Sequence, residues 1–181
     1  AVVSSTATYE DIFEELVGFG SEATGGQDGT ICLVTNTDNA GSGSLRNCVE
    51  NANGPTWVRF GVDGQIRLSS NIVLPSDITI DGRGHDIRIQ RRGLSLRNQE
   101  NVILTNLTFE DGADGEDQDA VQIRGGHKIW VHHCSFSNYA DGLLDLTKGT
   151  RDVTVSWNVF SEHDKVLLIS ANDNDTEDEN T

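Results

Sequence analysis

Two acidic residues, Asp141 and Asp145, flank Gly-Leu-Leu in the stretch ADGLLDLTKG, which otherwise alternates like a β-strand. Four residues is an even spacing, so in extended chain both carboxylates point to the same side. Asp119 lies 22 residues before Asp141, and Asp117 lies two before Asp119. Like charges brought together either raise one another's pKa or recruit a cation. A flexible set of carboxylate oxygens suits Ca²⁺ better than a softer metal. Lys165 follows Asp141 by 24 residues and would bring one cation to the same place. The plainer alternative is a set of solvated acids on an acidic surface.

Other chemistry is thinly represented. His132 and His133 are consecutive in a strand-like run, so they are expected to face opposite sides and not to share a metal. His85, His127 and His163 show no zinc-ligand spacing and are read as structural. There is no G-x-S-x-G elbow and no phosphate-binding loop. The formal charge of −16 excludes nucleic acid as a partner and admits an anionic ligand only through a bridging cation. Asp exceeds Glu and Arg exceeds Lys, a bias that suits high salt. No apolar run is long enough to span a membrane.

The acids need a scaffold that returns every twenty-odd residues to the same place. NVILTNLTF, KIWVHHCSF and DVTVSWNVF begin at Asn101, Lys128 and Asp152, 27 and 24 residues apart, and DITID begins 24 before the first. A second series interleaves at Leu94, Val121, Leu143 and Val166. Such a period, with several short strands in each repeat, is the mark of a solenoid. A leucine-rich horseshoe lacks its consensus here, and a sandwich would not repeat equivalent residues at this interval. The expected fold is therefore all-β, a right-handed single-stranded parallel β-helix, with Phe109, Phe136 and Phe160 stacked in its core. Asp119 and Asp141 then lie about one coil apart, and Asp117, Asp119, Asp141 and Asp145 meet on one patch of the wall.

Two short helices are expected before the coils. One covers 8–17, with Thr8 as N-cap and Gly18 as stop; the other covers 44–52 and caps the open end of the core. The whole of 1–181 reads as one domain, with 171–181 an acidic loop or tail and the last coil left open. Cys32 and Cys48 are close enough in sequence to pair and would tie the capping helix to the first coil; the spacing alone leaves the pairing open. Cys134 reads as a buried small hydrophobe.

Several of these stretches together resemble the pectate lyases of polysaccharide lyase family 1. GFGSEATGGQDG, VTNTDNAGSGSLR, VRFGVDGQIRL, ITIDGRG, NVILTNLTF, WVHHCSFS, DGLLDL and VTVSWNVFSEHDKVLLI follow in the family's order across 18–170. The resemblance implies a right-handed parallel β-helix and Ca²⁺-dependent eliminative cleavage of polygalacturonate, an acidic polysaccharide, by a secreted protein. Asp117 and Asp119 resemble the family's first Ca²⁺-ligand segment, and Asp141 and Asp145 its later acidic pair. Lys165 resembles the lysine that contacts a substrate carboxylate. Many members carry Asp where His132 stands, a difference assigned here to packing. The family's base is an arginine in a later coil, and neither Arg124 nor Arg151 matches it. The resemblance thus implies the N-terminal portion of the enzyme, its later coils lying elsewhere in the protein or on a separate chain. The competing expectation is a non-catalytic β-helix module that binds acidic polysaccharide or serves a structural role.

Overall fold

The computed structural model describes residues 8–113, 118–171 and 176–178. After 3₁₀ turns at Glu10–Glu15 and Phe19–Glu22 come β1 (Thr30–Val34), helix α1 (Leu45–Glu50), β2 (Thr56–Phe60), β3 (Gly64–Arg67), β4 (Ile72–Val73), β5 (Ile78–Asp81) and β6 (Ile87–Arg91). They are followed by β7 (Leu94–Arg97), β8 (Glu100–Thr105), β9 (Thr108–Gly112), β10 (Val121–Arg124) and β11 (His127–His132). The described strands end with β12 (Ser135–Ser137), β13 (Leu144–Thr147), β14 (Val153–Ser156), β15 (Val159–Ser161) and β16 (Leu167–Ile169).

From β2 onward, every third strand returns to the same sheet. The first sheet runs β1-β2-β5-β8-β11-β14, the second β3-β6-β9-β12-β15 and the third β4-β7-β10-β13-β16. All pairings are parallel, so the chain is the solenoid that the repeat predicts. Each nine-residue repeat is a strand of the first sheet, a corner and a strand of the second. Asn106, His133 and Trp157 occupy that corner with positive φ, and Asp77, Asn101, Lys128 and Asp152 do the same at the entry to the first sheet. The side-chain period is 2 within a strand but is broken at each corner. A residue's facing therefore follows from the corners as well as from alternation.

Inward positions stack into ladders. Phe109, Phe136 and Phe160 lie with centroids 4.9 and 5.0 Å apart and nearly parallel planes. Ile78, Ile80, Val102, Leu104, Ile129 and Val131 are fully buried beside them. Helix α1 begins at Ser44, whose hydroxyl accepts from the Asn47 amide, and it packs on β1, β2 and β4 at one end of the core. Leu45, Cys48 and Val49 are its buried face, and a Cys32–Cys48 disulfide fastens it to β1. Cys134 is free and buried, which pushes its thiol up to about 12. At the other end of the described coils, Leu167 and Ile169 continue the ladders of Leu144 and Leu146 but are about half exposed.

The N-terminal expectation needs correcting. The 8–17 segment is a 3₁₀ turn capped at Tyr9 rather than an α-helix capped by Thr8, whose amide instead donates to Asp11. Packing decides this. Tyr9 and Ile12 bury against Trp57, Ile103 and Trp130 on the outer face of the first sheet, and Tyr9 shares hydrogen bonds with Thr79 and the Thr24 carbonyl. Gly20 then approaches so closely that a Cβ there would lie 2.4 Å from the Ile129 carbonyl oxygen. Of the expected tail, Ala171 and Thr176–Asp178 are described, the latter as a 3₁₀ turn; 172–175 and 179–181 lie outside the described residues.

Candidate functional site

Asp119, Asp141, Asp145 and Lys165 meet along the third sheet. β13 pairs with β10 on one side and β16 on the other, placing Asp145 between Gln122 and Leu168. Asp119 precedes β10 and Asp141 precedes β13, one coil on. The Ala120 amide donates to the Gly142 carbonyl and the Asp141 amide to the Gln118 carbonyl, so the two approaches to the sheet run side by side. Lys165 occupies the corresponding approach to β16, its carbonyl accepting from the Leu143 amide. Asp117 lies outside the described residues.

Asp141 and Asp145 share a cavity, though not through strand alternation. Asp141 sits in a bend that ends at β13, and only Asp145 is in the strand. The cavity, ≈ 360 Å³, is lined by Asp141, Gly142, Asp145, Lys165, Leu167 and Leu168. Asp119 is buried at its edge. Its Oδ1 accepts from the Gly142 amide at 2.8 Å and its Oδ2 from Gln122 Nε2 at 2.7 Å. Lys165 Nζ donates to Asp141 Oδ1 at 2.5 Å, and that pairing holds the lysine's pKa above its ordinary value. Burial pushes the Asp145 carboxyl up to about 6, helped by the charges of Asp119 and Asp141 and opposed by a hydrogen bond from the Leu168 amide.

Two contributors escaped the sequence reading. A Cβ on Gly142 would stand 2.5 Å from Asp145 Oδ1 and 2.8 Å from Asp119 Oδ1, so glycine is what lets both carboxylates approach one point. Gln122 orients Asp119, and aligning VQI with LDL in the repeat would have set it opposite Asp145. The donor set is hard oxygen throughout, with one half-buried carboxyl under pressure to protonate. That chemistry fits a Ca²⁺-sized cation held by Asp119, Asp141 and Asp145.

The expected opposite facing of His132 and His133 fails. Their ring centroids are 4.1 Å apart, and both Nε2 atoms approach Glu15 Oε2, at 3.2 and 3.1 Å. Strand alternation ends at His132; φ of 49° at His133 turns the chain and brings the second ring round to the first. His132 also stacks on Trp130, and burial holds its pKa below the ordinary imidazole value.

A coil of parallel strands with clustered acids on one wall can be compared with known proteins. The profile of the family described as pectate lyase matches residues 60–181. The chain belongs to the pectate lyase family. Pectate lyase 5 of Ambrosia artemisiifolia is 38% identical over 183 residues, covering 89% of this chain and 46% of that protein. Pectate lyase 1 of the same plant is 36% identical, with the same coverage of both chains. Among solved structures, Jun a 1, the major allergen from cedar pollen, superposes with a TM-score of 0.86 at 29% identity, covering 96% of this chain and 58% of that one. This pectate lyase family chain spans about half the length of the curated relatives it matches.

Proposed function

We propose that the chain carries the Ca²⁺-binding part of an enzyme that cleaves polygalacturonate by β-elimination. The observation that carries this reading is a cavity lined by Asp141, Asp145 and Lys165, with Asp119 bonded to Gly142 of its wall. Asp117, two residues from Asp119, completes the proposed ligand set. When bound, Ca²⁺ would bridge protein carboxylates to the uronate carboxylate and make the adjacent C5 proton more acidic.

The chain's own residues have definite tasks in this scheme. Asp119 is fixed by the Gly142 amide and Gln122, so one ligand is oriented before any cation arrives. Lys165 is held by Asp141 at the cavity rim, where its ammonium would meet a uronate carboxylate once Asp141 turned to a cation. Among the described residues, no arginine lines the cavity. The base that removes the C5 proton is therefore assigned to further coils, either later in the same protein or on a separate chain. Such coils would stack on β16 and cover the half-exposed Leu167 and Ile169. The disulfide fits an oxidising, extracellular setting, where pectate is found.

Cleavage by a protein extended with further coils tests this directly. The ultraviolet absorbance of an unsaturated product should appear with Ca²⁺ and vanish with chelator, while residues 1–181 alone should give little. Robust cleavage by 1–181 alone would show that the base has been misplaced, with Arg124 and Arg151 the first to examine. The lack of a lining arginine also favours a second reading, a non-catalytic module that binds acidic polysaccharide. An extended protein that binds uronans but cleaves none would establish it.

A further inference from the structure

On the outer face of the first sheet, away from the acidic cavity on the third, Glu15, His132 and His133 direct three ligand atoms at one another. All three lie within 4.8 Å of each other. We propose that they form a site for a late first-row divalent cation, with Zn²⁺ its natural occupant. In a tetrahedral site with bonds of about 2.0–2.1 Å, neighbouring donors are about 3.3 Å apart. The two distances from Glu15 Oε2 to the imidazole Nε2 atoms, 3.2 and 3.1 Å, are close to that spacing, and the two Nε2 atoms lie within 4.8 Å of each other. Two imidazoles and one carboxylate with an open fourth position are a donor set that Zn²⁺ accepts and Ca²⁺ does not favour.

The surroundings are built for it. His132 is fixed by stacking on Trp130, and its Nδ1 lies 2.8 Å from Ser156 Oγ, which also accepts from Trp130 Nε1 at 2.9 Å. The serine oxygen has a second lone pair. It can accept Nδ1–H, which selects the tautomer whose Nε2 lone pair faces the ion, the usual outer support of a metal-bound histidine. Glu15 is carried by the 3₁₀ turn that Tyr9 and Ile12 anchor to the sheet, so the carboxylate is delivered by packing rather than by a free loop. A cavity of ≈ 40 Å³ adjoins the three side chains, enough for a water as fourth ligand. Arg83 lines this cavity, but its guanidinium is paired with Asp81 at 2.9 and 2.8 Å, and Asp11 adds a carboxylate to the same wall. A bound ion would fasten the N-terminal turn to β11.

The test uses the tag-free chain, stripped with chelator and titrated with Zn²⁺ by calorimetry and by thermal melting. One Zn²⁺ per chain should bind, raising the melting temperature with concentration, and Co²⁺ should give the visible absorption of a tetrahedral complex. Glu15→Gln and His133→Ala alter exposed side chains and should fold, yet each should weaken Zn²⁺ binding at least ~10-fold. Ser156→Ala should weaken it by roughly 10-fold through the lost tautomer partner. Asp141→Asn should leave Zn²⁺ binding unchanged, and excess Ca²⁺ should not compete. No saturable Zn²⁺ binding, or binding indifferent to both Glu15→Gln and His133→Ala, overturns the proposal.

Discussion

Replacing Asp145 by Asn should stabilise the Ca²⁺-free chain at pH 8 while removing its response to Ca²⁺. Asp145 is half-buried beside Asp119 and Asp141, and its carboxyl rises from 3.8 to about 6. A folded-state pKa above the unfolded value means that the folded chain holds the proton more tightly. The group's contribution to stability is therefore most favourable below about pH 4, in its protonated form, and is lost as pH rises through about 6. At about 1.36 kcal/mol per pH unit, the full shift gives an upper bound of about 3 kcal/mol. Solvent reaches part of the carboxyl, so about 1–2 kcal/mol is the working figure. For a domain of this size that is roughly 2–8 °C in melting temperature. Asn keeps an oxygen to accept from the Leu168 amide, so the substitution removes charge with little loss of hydrogen bonding. Thermal melts in chelator at pH 8 should place the variant above wild type, and the gain should largely disappear near pH 4. A variant less stable than wild type at pH 8 would refute the reasoning, because the carboxylate would then be satisfied without a cation.

Gly142→Ala should cut the Ca²⁺-dependent rise in melting temperature by more than half, because its Cβ would displace oxygens of Asp119 and Asp145; an unchanged rise would show that Gly142 does not set their approach. Phe136→Ala removes the middle ring of the core stack and should cost about 3–5 kcal/mol in denaturant unfolding. Reducing the Cys32–Cys48 disulfide, which closes a short loop over α1, should lower stability by about 3 kcal/mol in the chain-entropy model, and a change within error would show that packing alone holds the cap.

The parts legible in the sequence were those that repeat. Phe109, Phe136 and Phe160 recur at the coil period, and each is an inward position of the second sheet, so spacing alone placed them. The same period brought Asp119, Asp141 and Lys165 to within one residue of equivalent points on successive coils. Alternation was the weaker guide. It set Asp141 on the same side as Asp145 for a reason that does not apply, since Asp141 lies in a bend before β13. It also parted His132 from His133, because the corner residue with positive φ does not announce itself when it is a histidine. Glu15 was beyond reach altogether. It lies 117 residues from His132, and only the packing of Tyr9 and Ile12 on the outside of the first sheet brings it there.

If the acidic cavity takes a galacturonate chain through Ca²⁺, equilibrium binding of oligogalacturonate will depend on the ion and on the cavity's carboxylates. With Ca²⁺ the chain should bind the oligosaccharide; chelator or Asp141→Asn should abolish binding, and Lys165→Ala should weaken it by about 10–100-fold, as expected for one charge-assisted contact. Binding that persists in chelator, or that survives Asp141→Asn, would contradict the account.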